Sequence, residues 1–324
     1  MSSEITLPVS RDDIAAAAKR IAGWTRRTPV LRDDRASFGL AAGVPVTFKF
    51  EYLQHTGSFK PRGAFNTLLS SNPGSAGVAA ASGGNHGAAV AYAAARLGHK
   101  ATIFVPETSS PVKIAQIRSY GADLKVGGAR YADALEACDA FVRASGALPV
   151  HAYDTQETIA GQGTVGKEWE EACPEIDTVL VAVGGGGLIA GIAGWYGRRI
   201  KVVGVEPEGS RCLHAALEAG KPVDVPVESV AADSLGAKRT GDLVFAIAKE
   251  NIDHVVLVDD GAIRNAQRML WQRLRAAAEP GGAAAAAALF SGAYKPAKDE
   301  RVGVLLCGAN VDLTLLDGLA KNGP

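Results

Sequence analysis

The sequence predicts an α/β protein of parallel strands joined by helical crossovers, arranged as two doubly wound units. Three observations carry this. From about residue 75, short β-rich apolar runs such as Ala101–Val105 and Val150–Tyr153 alternate with Ala-rich segments of helical length. Helix start and stop signals fall between those runs. The length of 324 residues also exceeds what one hydrophobic core usually fills, so two domains with a ligand crevice between them are expected.

The elements follow in order. A helix over Ala88–Leu97 ends on Gly98, and the strand Ala101–Val105 comes next. Ser109-Ser110-Pro111 then supplies a cap and a first-turn proline for a helix that Gly121 ends. Val150–Tyr153 reads as the next strand. A second set comprises the strand Thr178–Val183, a glycine loop, a helix over Leu188–Tyr196 and the strand Lys201–Glu206, then strands at His254–Val258 and Arg301–Cys307. The uncharged stretch Val179–Gly197 imitates a membrane helix in length, but seven of its residues are glycine and it opens as a strand. Six alanines at 283–288 run into Leu289 and Phe290, which predicts a closely packed buried helix and not a linker.

Composition excludes several classes. The 34 basic residues cancel the 34 acidic ones, and 47% hydrophobic against 21% charged is a globular makeup, not a disordered one. A pI near 7.0 without a Lys/Arg run argues against nucleic acid. Cys138, Cys173, Cys212 and Cys307 form no CxxC pair, which fits reduced thiols and neither a disulfide framework nor a zinc site. The opening MSSEITLPVSRDD is acidic where a signal peptide needs an apolar core. The expected place is the cytoplasm, and the expected partner is a small molecule, with no nucleic acid and no membrane.

Three segments can carry chemistry. In Ser58-Phe59-Lys60-Pro61-Arg62-Gly63-Ala64, proline disfavours helical geometry at Lys60 and is suited to begin a helix, so the lysine is expected on a strand or loop end pointing into a cleft. Alone, such a lysine reads as a solvated surface residue. Ser82-Gly83-Gly84-Asn85-His86-Gly87 opens a helix, whose free N–H groups suit a carboxylate, while Asn85 can bond an oxygen. By itself it also reads as a tight turn with a local cap. Gly184-Gly185-Gly186-Gly187-Leu188 lies between a strand and a helix, the arrangement that cradles a phosphate with backbone donors. A rival exists, because Gly185 to Ala190 also fits the GxGxxA dinucleotide fingerprint, with Glu206 about 20 residues on, as a nicotinamide oxidoreductase needs. A dehydrogenase has no use for Lys60 and the 82–87 loop, whereas pyridoxal phosphate, which bonds covalently to lysine, uses all three.

SFKPRGA, SGGNHG, ETIAGQGT at 157–164, VGGGGL and LLCGANVD, in this order, together resemble the fold-type II pyridoxal-phosphate enzymes, specifically the serine/threonine dehydratase and serine racemase family. The likeness covers nearly the whole chain. It implies a tryptophan synthase β-like fold with the active site in the cleft: a large domain of residues 1–55 and 150–324 holding the cofactor phosphate, and a small substrate-side domain of residues 56–149. It also implies a homodimer. Lys60 would carry the cofactor and move the α-proton, with Phe59 beside the ring and Asn85 on its 3-hydroxyl. Gly184, Gly185, Gly186, Gly187 and Leu188 would hold the phosphate. Ser82, Gly83, Asn85 and His86 would hold the substrate carboxylate, with Glu279 near the cofactor and Cys307 at the pyridine nitrogen. A neutral thiol there keeps the ring a weaker electron sink than an Asp would, which suits β-elimination. As a residue type, Cys307 also reads as a small buried hydrophobe.

Departures from the family pattern narrow the reaction. The second serine that racemases place before GNHG is Gly83 here, so no second base is expected and dehydration is preferred to racemisation. The family's divalent-metal loop opens with Glu-Pro, matched by Glu206-Pro207, but closes on an aspartate where this chain has Cys212, which leaves Glu206 as the one metal-ligand candidate. The chain stops soon after CGANVD, and no C-terminal regulatory domain is expected. Pro61-Arg62 favours dehydratases over sulfhydrylases and threonine synthases, in which Asp-Arg usually follows the lysine. The expected activity is conversion of a β-hydroxy amino acid, L-threonine or L-serine, to a 2-oxo acid and ammonia. Serine racemase, 3-hydroxyaspartate dehydratase and phenylserine dehydratase remain the alternatives. Tyr131 and Ala134, with His151 and Ala232–Ser234 opposite, are expected around the substrate side chain, and Ala134 replaces an arginine that racemases use near an acidic ligand.

Overall fold

The computed structural model describes residues 7–40 and 45–311. Its strands are β1 (Val30–Asp33), β2 (Val46–Lys49), β3 (Val78–Ala81), β4 (Ala101–Val105), β5 (Asp123–Val126), β6 (Leu148–Pro149), β7 (Thr178–Ala182), β8 (Lys201–Pro207), β9 (His254–Val258) and β10 (Val302–Leu305). They form two sheets. The smaller has the order β5-β4-β3-β6 and is parallel throughout. The larger has the order β1-β2-β10-β7-β8-β9, parallel except for the antiparallel β1–β2 pair at its edge. Strands β3, β4 and β7 are buried along their whole length, as parallel strands covered by helices on both faces must be.

The helices are α1 (Arg11–Arg20), α2 (Lys60–Ser70), α3 (Asn85–Leu97), α4 (Pro111–Ser119), α5 (Tyr131–Ser145), α6 (Gln156–Ala172), α7 (Gly187–Tyr196), α8 (Cys212–Ala219), α9 (Ala232–Leu235), α10 (Asp242–Asn251), α11 (Asp260–Leu274) and α12 (Pro280–Phe290). Proline stands in the first turn of α2, α4 and α12, where a missing N–H costs nothing. The alanine run is the centre of α12, and Ala283 to Ala288 are all fully buried in the larger core. Helices α6 and α7 cross so closely that a Cβ on Gly191 would lie 2.4 Å from the Ile159 carbonyl. That contact fixes α7, and the glycine loop before it, against α6.

Two expected boundaries move. The strand expected over Val150–Tyr153 is instead a loop: pairing along β6 is confined to Leu148 and Pro149 against β3, and Val150 adds one N–H to the Ala79 carbonyl. The polar His151 and Asp154, which turn the chain through a local hydrogen-bonded bend, end the strand early. Lys60, expected on a strand or loop end, is the first residue of α2, with Phe59 as its cap. The β1–β2 ribbon had no counterpart among the expected strands. Among the described residues, no helix is long and apolar enough to cross a membrane.

Candidate active site

Four of the predicted site segments lie past the C-terminal ends of parallel strands, where ligands of open α/β sheets bind. The Ser82–Gly87 loop follows β3, His151 to Tyr153 follow β6, the glycine loop follows β7, and Cys307 follows β10. Lys60 is brought in by α2. The Phe59 N–H donates to the Cys307 carbonyl at 3.1 Å, and Ser58 bridges Gly308, so the lysine turn is pinned to the end of β10.

The Lys60 ammonium lies 5.1 Å from the centre of the Phe59 ring and donates a 2.8 Å hydrogen bond to the Ala152 carbonyl. Among the described residues no carboxylate pairs with it, and burial pushes its pKa down to about 8. Cys307 donates its S–H to the Gly281 carbonyl at 3.6 Å, and burial pushes the thiol up to about 12, so it stays neutral.

The glycine loop is bare of side chains for steric reasons. A Cβ on Gly185 would lie 2.3 Å from the Tyr153 ring, one on Gly187 would lie 2.7 Å from the Tyr153 carbonyl, and Gly186 sits at φ +93°. Gly186 caps α7 with no side-chain acceptor, so the first N–H groups of that helix are left for an external anion. The neighbouring α10 contrasts with it, because the Asp154 carboxylate accepts from the backbone N–H groups of Asp242, Leu243 and Val244.

Asn85 is clamped on both sides. It donates to Glu279 Oε1 at 2.5 Å and accepts from Asn310 Nδ2 at 2.7 Å. Burial raises the Glu279 carboxyl, and Lys113, reaching over from α4, lies 3.7 Å from Glu279 Oε2 and is also paired with Asp233. Lys113 lies outside every motif of the sequence, and Asn310, though inside LLCGANVD, carries no signal of the role it has here. His86 donates Nε2–H to the Val150 carbonyl at 2.8 Å, and burial pushes its pKa down to about 3. Its ring is therefore neutral with its one N–H engaged, and what remains for a carboxylate is the backbone N–H at the start of α3.

Three further expectations change on contact with the geometry. Ala134 is 1% exposed and packed with Phe104 and Cys138 in the smaller core, so it faces no substrate. Glu206 is fully buried, and its two oxygens accept from the N–H groups of Leu213 and His214 at 2.9 and 2.8 Å. Among the described residues, no group of three His, Cys, Asp or Glu side chains gathers around a common point, and the Cys212 thiol is turned to the Gly184 carbonyl. Finally, the volume beside Gly83 is already taken by a hydroxyl: a Cβ there would lie 1.9 Å from Ser109 Oγ.

A part-buried amine of lowered pKa, a side-chain-free anion cradle and a fixed amide gather at the strand ends of the two sheets, an arrangement suited to a phosphorylated carbonyl cofactor. The pattern of the pyridoxal-phosphate dependent enzymes matches residues 21–308, and the chain belongs to that family, with pyridoxal phosphate as its cofactor. The dinucleotide alternative ends here, since Glu206 is sealed inside and engaged with backbone. The chain is 39% identical to phenylserine dehydratase of Ralstonia pickettii, over 92% of each chain. It is 36% identical to the catabolic L-threonine dehydratase of Escherichia coli, over 95% of each. The solved structure of maize serine racemase superposes with a TM-score of 0.88 at 34% identity, covering 97% of this chain and 98% of the other.

Proposed function

We propose that the protein is a pyridoxal-phosphate-dependent ammonia-lyase that eliminates the β-hydroxyl of L-threonine or L-serine as water and then releases ammonia as one water is taken back up, leaving a 2-oxo acid. The observation that carries this is Lys60, a part-buried amine with no carboxylate against it among the described residues, held by a carbonyl and neutral in useful amount near pH 8. The bound cofactor supplies a sink for the electron pair released at the α-carbon. Lys60 Nζ holds the cofactor and, once released, takes the α-proton as a general base of matched pKa. The N–H groups of Gly184 to Leu188 bind the phosphate. Asn85, fixed by Glu279 and Asn310, orients the ring, and the backbone N–H groups of the Ser82–His86 segment receive the substrate carboxylate. Cys307, a neutral thiol, leaves the ring nitrogen without the full positive charge that an aspartate would enforce, which favours elimination.

The two sheets support a division into a phosphate-side domain (1–55 and 150–324) and a substrate-side domain (56–149), with α2 at the seam. The four buried, unbridged cysteines support the reducing cytoplasm as its place. Lys60→Ala tests the reading: the visible absorption of the lysine-bound cofactor and 2-oxobutanoate formation from L-threonine should both vanish. Turnover comparable to wild type would overturn it.

A second reading, an aryl-bearing substrate such as phenylserine, is favoured by aromatic side chains beside Lys60. The His151 and Tyr153 rings meet edge-on at 4.9 Å. Burial, and then the neighbouring Tyr131 phenol, push the Tyr153 hydroxyl up to about 12, while half of Tyr131 remains open to an incoming ring. The ratio of kcat/KM for phenylserine to that for threonine decides between the two.

A further inference from the structure

We propose that Cys212 and Thr240 are positioning residues of the phosphate cradle: their side chains hold two successive carbonyls of the glycine loop and so turn the Gly185 and Gly186 N–H groups toward the anion. The inference rests on the reading of Gly184 to Leu188 as the phosphate site and adds what orients it. The first observation is a pair of hydrogen bonds. The Cys212 thiol donates to the Gly184 carbonyl at 3.2 Å, and the Thr240 hydroxyl donates to the Gly185 carbonyl at 3.4 Å. Both donors belong to buried residues. The next carbonyl, that of Gly186, accepts from the Ala190 N–H of α7 at 2.9 Å.

Peptide geometry converts these bonds into direction. Across a trans peptide the carbonyl of one residue and the N–H of the next point opposite ways. Drawing the Gly184 carbonyl toward Cys212 therefore sends the Gly185 N–H away from α8, and drawing the Gly185 carbonyl toward Thr240 sends the Gly186 N–H away from that hydroxyl. Among the described residues, no protein acceptor meets the N–H groups of Gly185, Gly186 and Gly187. Four successive glycines have no side chains of their own to fix a peptide plane, so the donors must come from elsewhere in the chain.

The second observation is how those donors are themselves held. Cys212 is the first residue of α8, whose Leu213 and His214 N–H groups are taken by Glu206 from the end of β8. Thr240 stands two residues before α10, whose first three N–H groups are taken by Asp154. Two of the three helices that begin here are thus closed by a carboxylate from another segment, and α7 is the one with no side-chain cap. Glu206 and Asp154 anchor the donors, and the donors aim the loop.

The holoenzyme would be stripped of cofactor and titrated by equilibrium dialysis with pyridoxal phosphate and with pyridoxal, which lacks the phosphate. Wild type should hold pyridoxal phosphate far more tightly. Cys212→Ala and Thr240→Val should each weaken pyridoxal phosphate about fivefold, and inorganic phosphate as its competitor by the same factor, while pyridoxal stays within about twofold. Thr240→Ser, which keeps the hydroxyl, should match wild type, and Cys212→Ser should bind more tightly than Cys212→Ala. Cys138→Ala, which removes a buried thiol from the smaller core, should leave both affinities unchanged. An unchanged pyridoxal phosphate affinity in Cys212→Ala, a loss shared equally by pyridoxal, or a Thr240→Ser variant as weak as Thr240→Val would each overturn the proposal. Failure of the phosphate-site reading looks different, with wild type binding the two forms equally.

Discussion

Replacing Arg62 by methionine should cost about 3–5 kcal/mol, the usual penalty for breaking a buried ion pair from one side. Arg62 is 2% exposed, two residues beyond Lys60, and its guanidinium binds Glu51 at 2.5 and 3.0 Å and Glu168 at 2.9 Å. Glu168 is also paired with Lys49 at 2.6 Å, and Thr28 donates to Glu51 at 2.6 Å. Two cations and two anions cancel inside a region where Lys49 and Glu51 are fully buried. Arg62→Met leaves two carboxylates facing one ammonium. With an unfolding entropy of about 2.1 cal/mol/K per residue, the penalty corresponds to a fall of about 4–7 °C in Tm, measured by calorimetry with saturating pyridoxal phosphate. Adding Glu51→Gln to Arg62→Met should recover part of the loss, because the cost lies in the orphaned charge. A Tm within 1 °C of wild type, or a double variant less stable than Arg62→Met, would refute the reasoning.

Two further outcomes follow from the cleft itself. With its pKa lowered from 10.5 to about 8 by burial, Lys60 should make the rate of cofactor uptake by the apoenzyme rise about tenfold per pH unit up to a midpoint near 8. At pH 7 the neutral fraction is roughly 300-fold that of an ordinary lysine, and a stopped-flow midpoint near 10.5 would contradict the burial argument. Gly185→Ala drives a methyl group to 2.3 Å from the Tyr153 ring, so equilibrium dialysis should show pyridoxal phosphate held at least tenfold more weakly, while Ala substituted at the open Gly197 should not alter its affinity.

The parts of the site that are contiguous in sequence were legible, because their chemistry is local. A lysine before proline, a glycine run between strand and helix and a GNHG turn each advertise backbone geometry within a few residues. The clamp of Asn85 by Glu279 and Asn310 joins residues about two hundred positions apart, and no spacing rule reaches that far. The same holds for Lys49, Glu51, Arg62 and Glu168, whose charges look like solvated surface until the fold buries them together. Ser109 was noticed only as part of a helix start, since nothing in its neighbours reveals that it abuts Gly83. The strand expected at Val150–Tyr153 shows the converse error: an apolar start suggested pairing, but the bend at His151 frees those residues to meet Lys60 and the glycine loop.

Strand β10 is the last described strand and pairs in the middle of the larger sheet, between β2 and β7. During synthesis, β1 and β2 leave the ribosome roughly 250 residues before the strand that joins them to the rest, whereas every strand of the smaller sheet emerges in one unbroken stretch. The smaller sheet can therefore be complete while the nascent chain still carries two open edges, on β2 and on β7, each a template for intermolecular pairing. The same insertion that sets Cys307 beside Lys60 makes translation of the final strand the event that closes the larger sheet and assembles the active site.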